Sequence, residues 1–236
     1  DLFPNLKQMP RNWARYVFSD LLCRELPVIT DADTAGLVVT TGTALPFRKA
    51  AACVKCHASM DQLAGVVRNF RGFNSGPGSC AADLSAKSSY HLVETTPTLP
   101  MSTTWGAVED DSYRKRPPFG RFYFRTYNNQ KLNVAVDGLA ELGAAIENTD
   151  DFYICAAKRY YQYFTGIDVD LSPMTADQTA DLPPDRRFYR SRVVDLGRKL
   201  RSAAVFNKNP MLLIEAIFEL PEYQKRDINL MQAAQP

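Results

Sequence analysis

The chain has 236 residues, of which 45% are hydrophobic and 23% charged, with a formal net charge of +2. That composition belongs to a chain able to bury a core as one large domain or two small ones. A charge so near zero gives no ground for nucleic-acid binding, and no apolar run reaches the length needed to span a bilayer. Five cysteines are too few for a disulfide scaffold, so their positions carry more meaning than their number. Asp1-Leu2-Phe3-Pro4 has neither the charged nor the apolar region of a signal peptide. The chain is therefore expected to be a mature product or a piece of something longer.

Taken in order, Leu6 to Arg24 carries Trp13, Val17, Phe18, Leu21 and Leu22 at helical spacing, and Pro27 makes a stop. The pattern predicts an amphipathic helix ending near Cys23. Pro46 precedes a second predicted helix, from about Phe47 to Asn69. Residues 71–130 differ in texture, being punctuated by Gly72, Gly76, Pro77, Gly78, Pro97, Pro100, Pro117, Pro118 and Gly120. They read as loop, with a short hairpin expected around the Phe/Tyr-rich stretch Arg121–Tyr127. Helical signals return from Leu132, and the best segments are Gly138–Glu147, Asp150–Gly166, Arg187–Phe206 and Pro210–Leu220. Asn207-Lys208-Asn209-Pro210 separates the last two, with Pro210 suited to a first helical position. The expected organisation is three regions, 1–71, 72–130 and 131–236, without internal repeats.

Within the second predicted helix, Cys53-Val54-Lys55-Cys56-His57 groups two cysteines and one of only two histidines. Three chemistries use such a cluster. In covalent haem attachment, two cysteines three residues apart on one helical face reach the two vinyl groups of a porphyrin, and the following histidine ligates the iron. In a zinc site, Cys53 and Cys56 would form half the ligand set, with Cys80 and His91 as further donors; this lacks a second tight pair and leaves His57 unexplained. In thiol redox chemistry the pair should stand just after a strand in a βαβ unit, which Ala50-Ala51-Ala52 and the helical flanks do not suggest. The haem reading accounts for all three side chains, with Cys53 and Cys56 as attachment points and His57 as proximal ligand.

Three stretches carry a wider likeness. They are Tyr16-Val17-Phe18-Ser19-Asp20-Leu21-Leu22-Cys23-Arg24-Glu25-Leu26-Pro27, then Cys53 through Gly65 continuing to Asn69-Phe70, and Phe152 through Gly166 followed by a helical pair ending at Leu220-Pro221-Glu222-Tyr223. In these the chain resembles the C-terminal haem c and adjoining helical domains of planctomycete-type cytochrome c proteins. It departs from that pattern in the long segment of about residues 72–130, in Gln62 where proline is common, and in the absence of arginine after Gly166. The resemblance implies a mainly α fold, with a cytochrome c-like helical domain, a long loop and hairpin insertion and a C-terminal helical bundle. It also implies one covalent haem c and a periplasmic or extracellular location. Cys23 and Cys155 fall at family-like positions in the two halves, which makes a disulfide between them one expectation and two separate buried thiols the other; Cys80 is the remaining partner for either.

The sixth iron position is open to several residues. Met101, in Leu99-Pro100-Met101-Ser102, is the first expectation, and His91 and Met174 are the alternatives; a thioether would raise the potential and an imidazole lower it. The cluster Arg114-Lys115-Arg116, with Arg121 and Arg125, suits haem propionates, an acidic redox partner or an ordinary solvated hairpin. Two function classes follow. The leading one is an electron-transfer protein working with other redox proteins or haem subunits, alone or as an oligomer. Its rivals are a peroxidase-like haem enzyme with an open distal site, in which His91 would move protons, and a structural subunit of a respiratory or extracellular complex.

Overall fold

The computed structural model describes residues 9–39, 45–74, 90–106 and 111–224. Among these residues the protein is mainly helical, with two small two-stranded sheets. The chain divides into two compact units. The first comprises Asp1–Val17, Glu25–Phe124 and Leu132–Ala145, and the second Phe18–Arg24, Arg125–Lys131 and Ile146–Pro236. The described residues of the expected insertion up to Phe124 thus belong with the Cys-Cys-His helix.

In the first unit, helix α1 spans Met9–Tyr16 and buries Met9, Pro10 and Ala14. The helical run continues to Leu22 and so ends near Cys23, as the apolar spacing predicts, but it is not α-helical throughout. Val17–Leu21 widens into a π-helical turn, and Cys23 adopts a left-handed φ of 53°, which ends the run. A 3₁₀ turn at Asp31–Thr34 follows, closed by Asp33 accepting hydrogen bonds from the Thr30 backbone and hydroxyl. Another at Pro46–Lys49, with proline at its first turn, leads into α2, Ala51–Ala64.

Val54, Ala58 and Asp61 recur along α2 at helical spacing and are buried, as are Leu63 and Ala64 beyond them. The C-terminal end of α2 lies so close to residues 119–120 that a Cβ on Gly65 would stand 2.1 Å from the Phe119 carbonyl oxygen. Arg68 fastens this crossing by donating to the Gly65 and Phe119 carbonyls at 3.0 and 2.5 Å.

Strands β1, Phe70–Asn74, and β2, Tyr90–Glu94, form an antiparallel pair with Gly72 opposite Leu92. Neither strand is expected from the sequence: Gly72 and Asn74 weaken β1, and β2 lies within a stretch read as loop. A short helix α3, Asp111–Arg114, precedes β3, Gly120–Arg125, which buries Phe122, Tyr123 and Phe124. The expected hairpin is present, yet its return strand is β4, Lys131–Val136, a stretch that reads from sequence as the approach to a helix. Helix α4, Gly138–Glu147, matches its expected bounds.

The second unit is built on α5, Asp150–Thr165, packed against α7, Pro184–Arg201, with a short α6 at Ala176–Ala180 and α8 at Pro210–Phe218. Ile154, Ala157, Tyr161, Val193, Leu196, Leu213 and Ile217 make its core. The α5–α7 crossing depends on a missing side chain: a Cβ on Gly197 would sit 2.5 Å from the Ile154 Cα. Cys23 and Cys155 form a disulfide inside this unit, because residues 18–24 belong to it.

Arg24 donates to Asp151 at 2.6 Å with both side chains buried, and Asp151 also accepts the Tyr127 N–H at 2.8 Å. Arg190 donates to the carbonyls of Tyr127, Asp170 and Ser172, so the Tyr127 peptide is held from both ends. Among the described residues no helix is long and apolar enough to cross a membrane.

Two substitutions test these constraints. Gly197→Ala should lower stability by about 1–3 kcal/mol through overpacking, read as an earlier urea or thermal midpoint. Arg24→Met leaves a buried carboxylate without its cation and should cost about 3–5 kcal/mol; an unchanged midpoint would show that the pair holds nothing together.

Candidate haem attachment site

On α2, Cys53, Cys56 and His57 fall at i, i+3 and i+4, so they form one stripe along the helix. Asp61 stands one further turn on, at the border between that stripe and the buried face of Val54 and Ala58. The helix thus presents two thiols on its outer side and sends a carboxylate inward. Cys53 is exposed, Cys56 is half-buried, and both are free thiols. Burial pushes the Cys56 thiol above its ordinary value, against the opposing pull of the Lys55 ammonium. Lys55 itself pairs with Asp31 at 2.9 Å, which ties the stripe to the 3₁₀ turn at Asp31–Thr34.

His57 is held at an edge and on a face. Its Nδ1 lies 2.9 Å from Asp61 Oδ2, and its ring stacks on Phe47 with centroids 4.2 Å apart and planes within 15°. The Asp61 side chain has no exposed surface. Arg11 of α1 meets it with a forked pair, Nε to Oδ1 at 2.8 Å and Nη2 to Oδ2 at 3.1 Å. The Arg11 guanidinium also lies over the Phe47 ring, 5.8 Å from its centroid. Arg11, Asp61, His57 and Phe47 therefore form a closed circuit in which each member contacts the next.

An ionised carboxylate beside Nδ1 requires that nitrogen to donate, so in the neutral imidazole Nε2 is the ring atom left with a lone pair. No partner of Nε2 occurs among the described residues.

Trp105 flanks the circuit, its ring tilted against Phe47 at 5.7 Å and beneath the Arg48 guanidinium at 4.9 Å. Beside Asp61 a small cavity of about 20 Å³ is lined by Asp61, Arg68, Trp105, Tyr113, Phe119 and Arg121, room for about one water molecule. Trp105 Nε1 and Tyr113 Oη are buried and have no hydrogen-bond partner among the described residues. Burial raises the Tyr113 phenol above its ordinary value, and the same cause lowers Arg68, whose guanidinium lies 4.9 Å over the Tyr113 ring.

The other expected site residues are more dispersed. Met101 is exposed, on a loop anchored by Thr98 and Leu99 N–H donating to the Lys115 carbonyl and by Arg116 donating to the Pro100 carbonyl at 2.9 Å. His91 is described by its backbone alone, in β2 opposite Phe73. Met174 lies in the second unit, its N–H donating to the Tyr127 carbonyl. Cys80 lies outside the described residues. Among the described residues no group of three or more His, Cys, Asp and Glu side chains is arranged to hold a metal ion.

Of the basic cluster, Arg116, Arg121 and Arg125 are engaged with Pro100, Asn133 and Asn129. They shape loop and hairpin. Arg11, Phe47 and Asp61 escape a motif-based reading, although the i, i+4 spacing of His57 and Asp61 was a usable signal.

Comparison of the chain with protein-family models, with curated proteins and with solved structures finds no match.

The unequal exposure of the two thiols is directly testable. In haem-free protein, made without haem-attachment machinery, iodoacetamide should modify Cys53 several-fold faster than Cys56 at neutral pH, followed by peptide mass spectrometry. Raising the pH through the alkaline range should narrow the gap as the Cys56 thiolate forms. Equal rates at neutral pH would contradict the burial of Cys56.

Proposed function

We propose that the chain is a monohaem c-type cytochrome that carries electrons, as a subunit or partner of a larger exported redox assembly. The observation that carries this reading is the stripe on α2, where two free thiols and an imidazole share one helical edge and the imidazole has its Nδ1 already engaged by Asp61. This donor set fits haem c. Cys53 and Cys56 tether it as thioethers, each thiol adding sulfur to one vinyl carbon and hydrogen to its neighbour. His57 Nε2 supplies the proximal iron ligand. One bound haem supplies a one-electron ferric/ferrous couple. The resemblance to planctomycete-type haem c proteins supports the same reading and its periplasmic or extracellular setting.

The chain's own residues then divide the work. Asp61 and Phe47 orient the imidazole, and the buried face of α2 keeps the stripe rigid. Met101 is the first choice for the sixth ligand: a thioether on an anchored loop is available without unpacking a core. Transfer through such a site needs no acid or base from the protein.

Expression in a host equipped for c-type maturation should yield one covalently bound haem per chain by pyridine haemochrome. Cys53→Ala or Cys56→Ala should leave a single thioether, seen as a shifted haemochrome band. Absence of a haem band in the wild-type protein would overturn the proposal. Reduced wild-type protein should bind carbon monoxide slowly, and Met101→Ala should bind it readily. Rapid binding by the wild type would favour the enzyme with an open distal site, and an unchanged axial-ligand spectrum in Met101→Ala would remove that residue as the ligand.

A further inference from the structure

We infer that Asp61 is the positioning residue that tunes the proximal ligand, and that Arg11 sets how strongly it acts. The inference rests on the haem reading above and adds to it a means of controlling the electron affinity of the site.

Three geometric facts carry the argument. Asp61 faces His57 Nδ1 at 2.9 Å from one turn further along the same helix. It has no exposed surface, so water does not weaken its field as it would at the surface. Arg11 approaches both carboxylate oxygens, at 2.8 and 3.1 Å, from a different helix.

A hydrogen bond from a ligating imidazole to a carboxylate fixes the ring and raises the basicity of the other nitrogen. A more basic Nε2 donates more strongly to iron and favours the ferric over the ferrous state. The charge on Asp61 thereby lowers the potential. Arg11 draws on the same carboxylate and tempers its effect on His57. The two residues therefore act with opposite sign on one observable, an arrangement that a purely structural ion pair would not produce.

Phe47 limits the response to electronics. Because the His57 ring is stacked against it at 4.2 Å, the imidazole keeps its orientation when the charge beyond Nδ1 changes. Asn at position 61 is the informative replacement, since its amide oxygen still accepts the Nδ1–H while the negative charge is gone.

The test is spectroelectrochemical titration of the haem-loaded protein, with haem content of every variant verified by pyridine haemochrome. Asp61→Asn should raise the equilibrium constant for reduction at least tenfold, which is 59 mV for a one-electron couple. Arg11→Gln should lower it, with the absorption spectrum of the axial ligands unchanged in both. Asp61→Glu should recover part of the wild-type value.

A second measurement uses the wild type alone. The chain holds only two histidines, so in ¹⁵N-labelled ferrous protein the His57 Nδ1 proton is assignable, and it should exchange slowly with solvent. If Asp61→Asn and the wild type differ by less than twofold in that constant, or both variants shift it in the same direction, the inference is overturned. Should the variants fail to fold, rapid exchange of the Nδ1 proton in the wild type overturns it and slow exchange supports it. Loss of haem from the wild type itself would instead sink the reading on which the inference rests.

Discussion

A carboxylate withdrawn from water must be matched on nearly every lone pair, and Asp61 meets that demand with three hydrogen bonds from two side chains. The requirement reaches well beyond the residue itself. It brings α1 against α2 through Arg11 and decides which nitrogen of His57 carries its proton. Phe47 closes the circuit from the turn before α2, touching both the guanidinium and the imidazole. To reposition the imidazole, the chain would have to leave a buried charge short of a partner. The site is consequently as rigid as the core it borrows from.

The same helix solves two problems by dividing its circumference. Val54, Ala58 and Leu63 pack inward, with a burial worth of roughly 1.5–3 kcal/mol for each large aliphatic side chain. Cys53 and Cys56 stay where a large group can reach them. His57 and Asp61 sit at the seam, the imidazole part-exposed and the carboxylate enclosed. A helix is suited to this because its period places residues i, i+3 and i+4 together while turning their neighbours away. The second unit uses buried charge differently: Arg24, Asp151 and Arg190 meet around the Tyr127 peptide, and no free thiol lies among them. There the ions organise backbone, and in the first unit they orient the His57 imidazole.

Legibility from sequence followed the range of the interaction concerned. The bounds of α4, α5 and α8 were readable because their signals are local: Thr149 and Asn209 cap, Gly166 ends α5 in the left-handed region, and Pro210 starts α8. The Cys-Cys-His stripe was readable for the same reason. The first helical run ends near Cys23 as its apolar spacing predicts, but the π-helical turn within it was not legible, because the period changes there without any breaker residue. Strands β1 and β2 were missed because Phe70–Asn74 and Tyr90–Glu94 are made strands by pairing with each other across a long intervening segment, and β4 because Lys131–Val136 is made a strand by its hairpin partner β3. Asp61 was in plain view at i+4 from His57, but its weight depends on Arg11, fifty positions away in sequence. Pairing at that separation leaves no trace in a local pattern.

The far side of the proposed iron site follows a different physical logic from the near side. His57 is fixed by partners that lose heavily if it moves. Met101 belongs to a segment anchored on both flanks, by the Lys115 carbonyl before it and by the Phe47 and Arg48 contacts of Trp105 after it, while its own side chain is 46% exposed. If haem is held as proposed, Met101 would offer its thioether without breaking core packing, because that side chain is exposed. A site built in this way would keep the geometry around His57 through changes on its far side, and the charge of Asp61 would act on the proposed iron whichever ligand stood opposite.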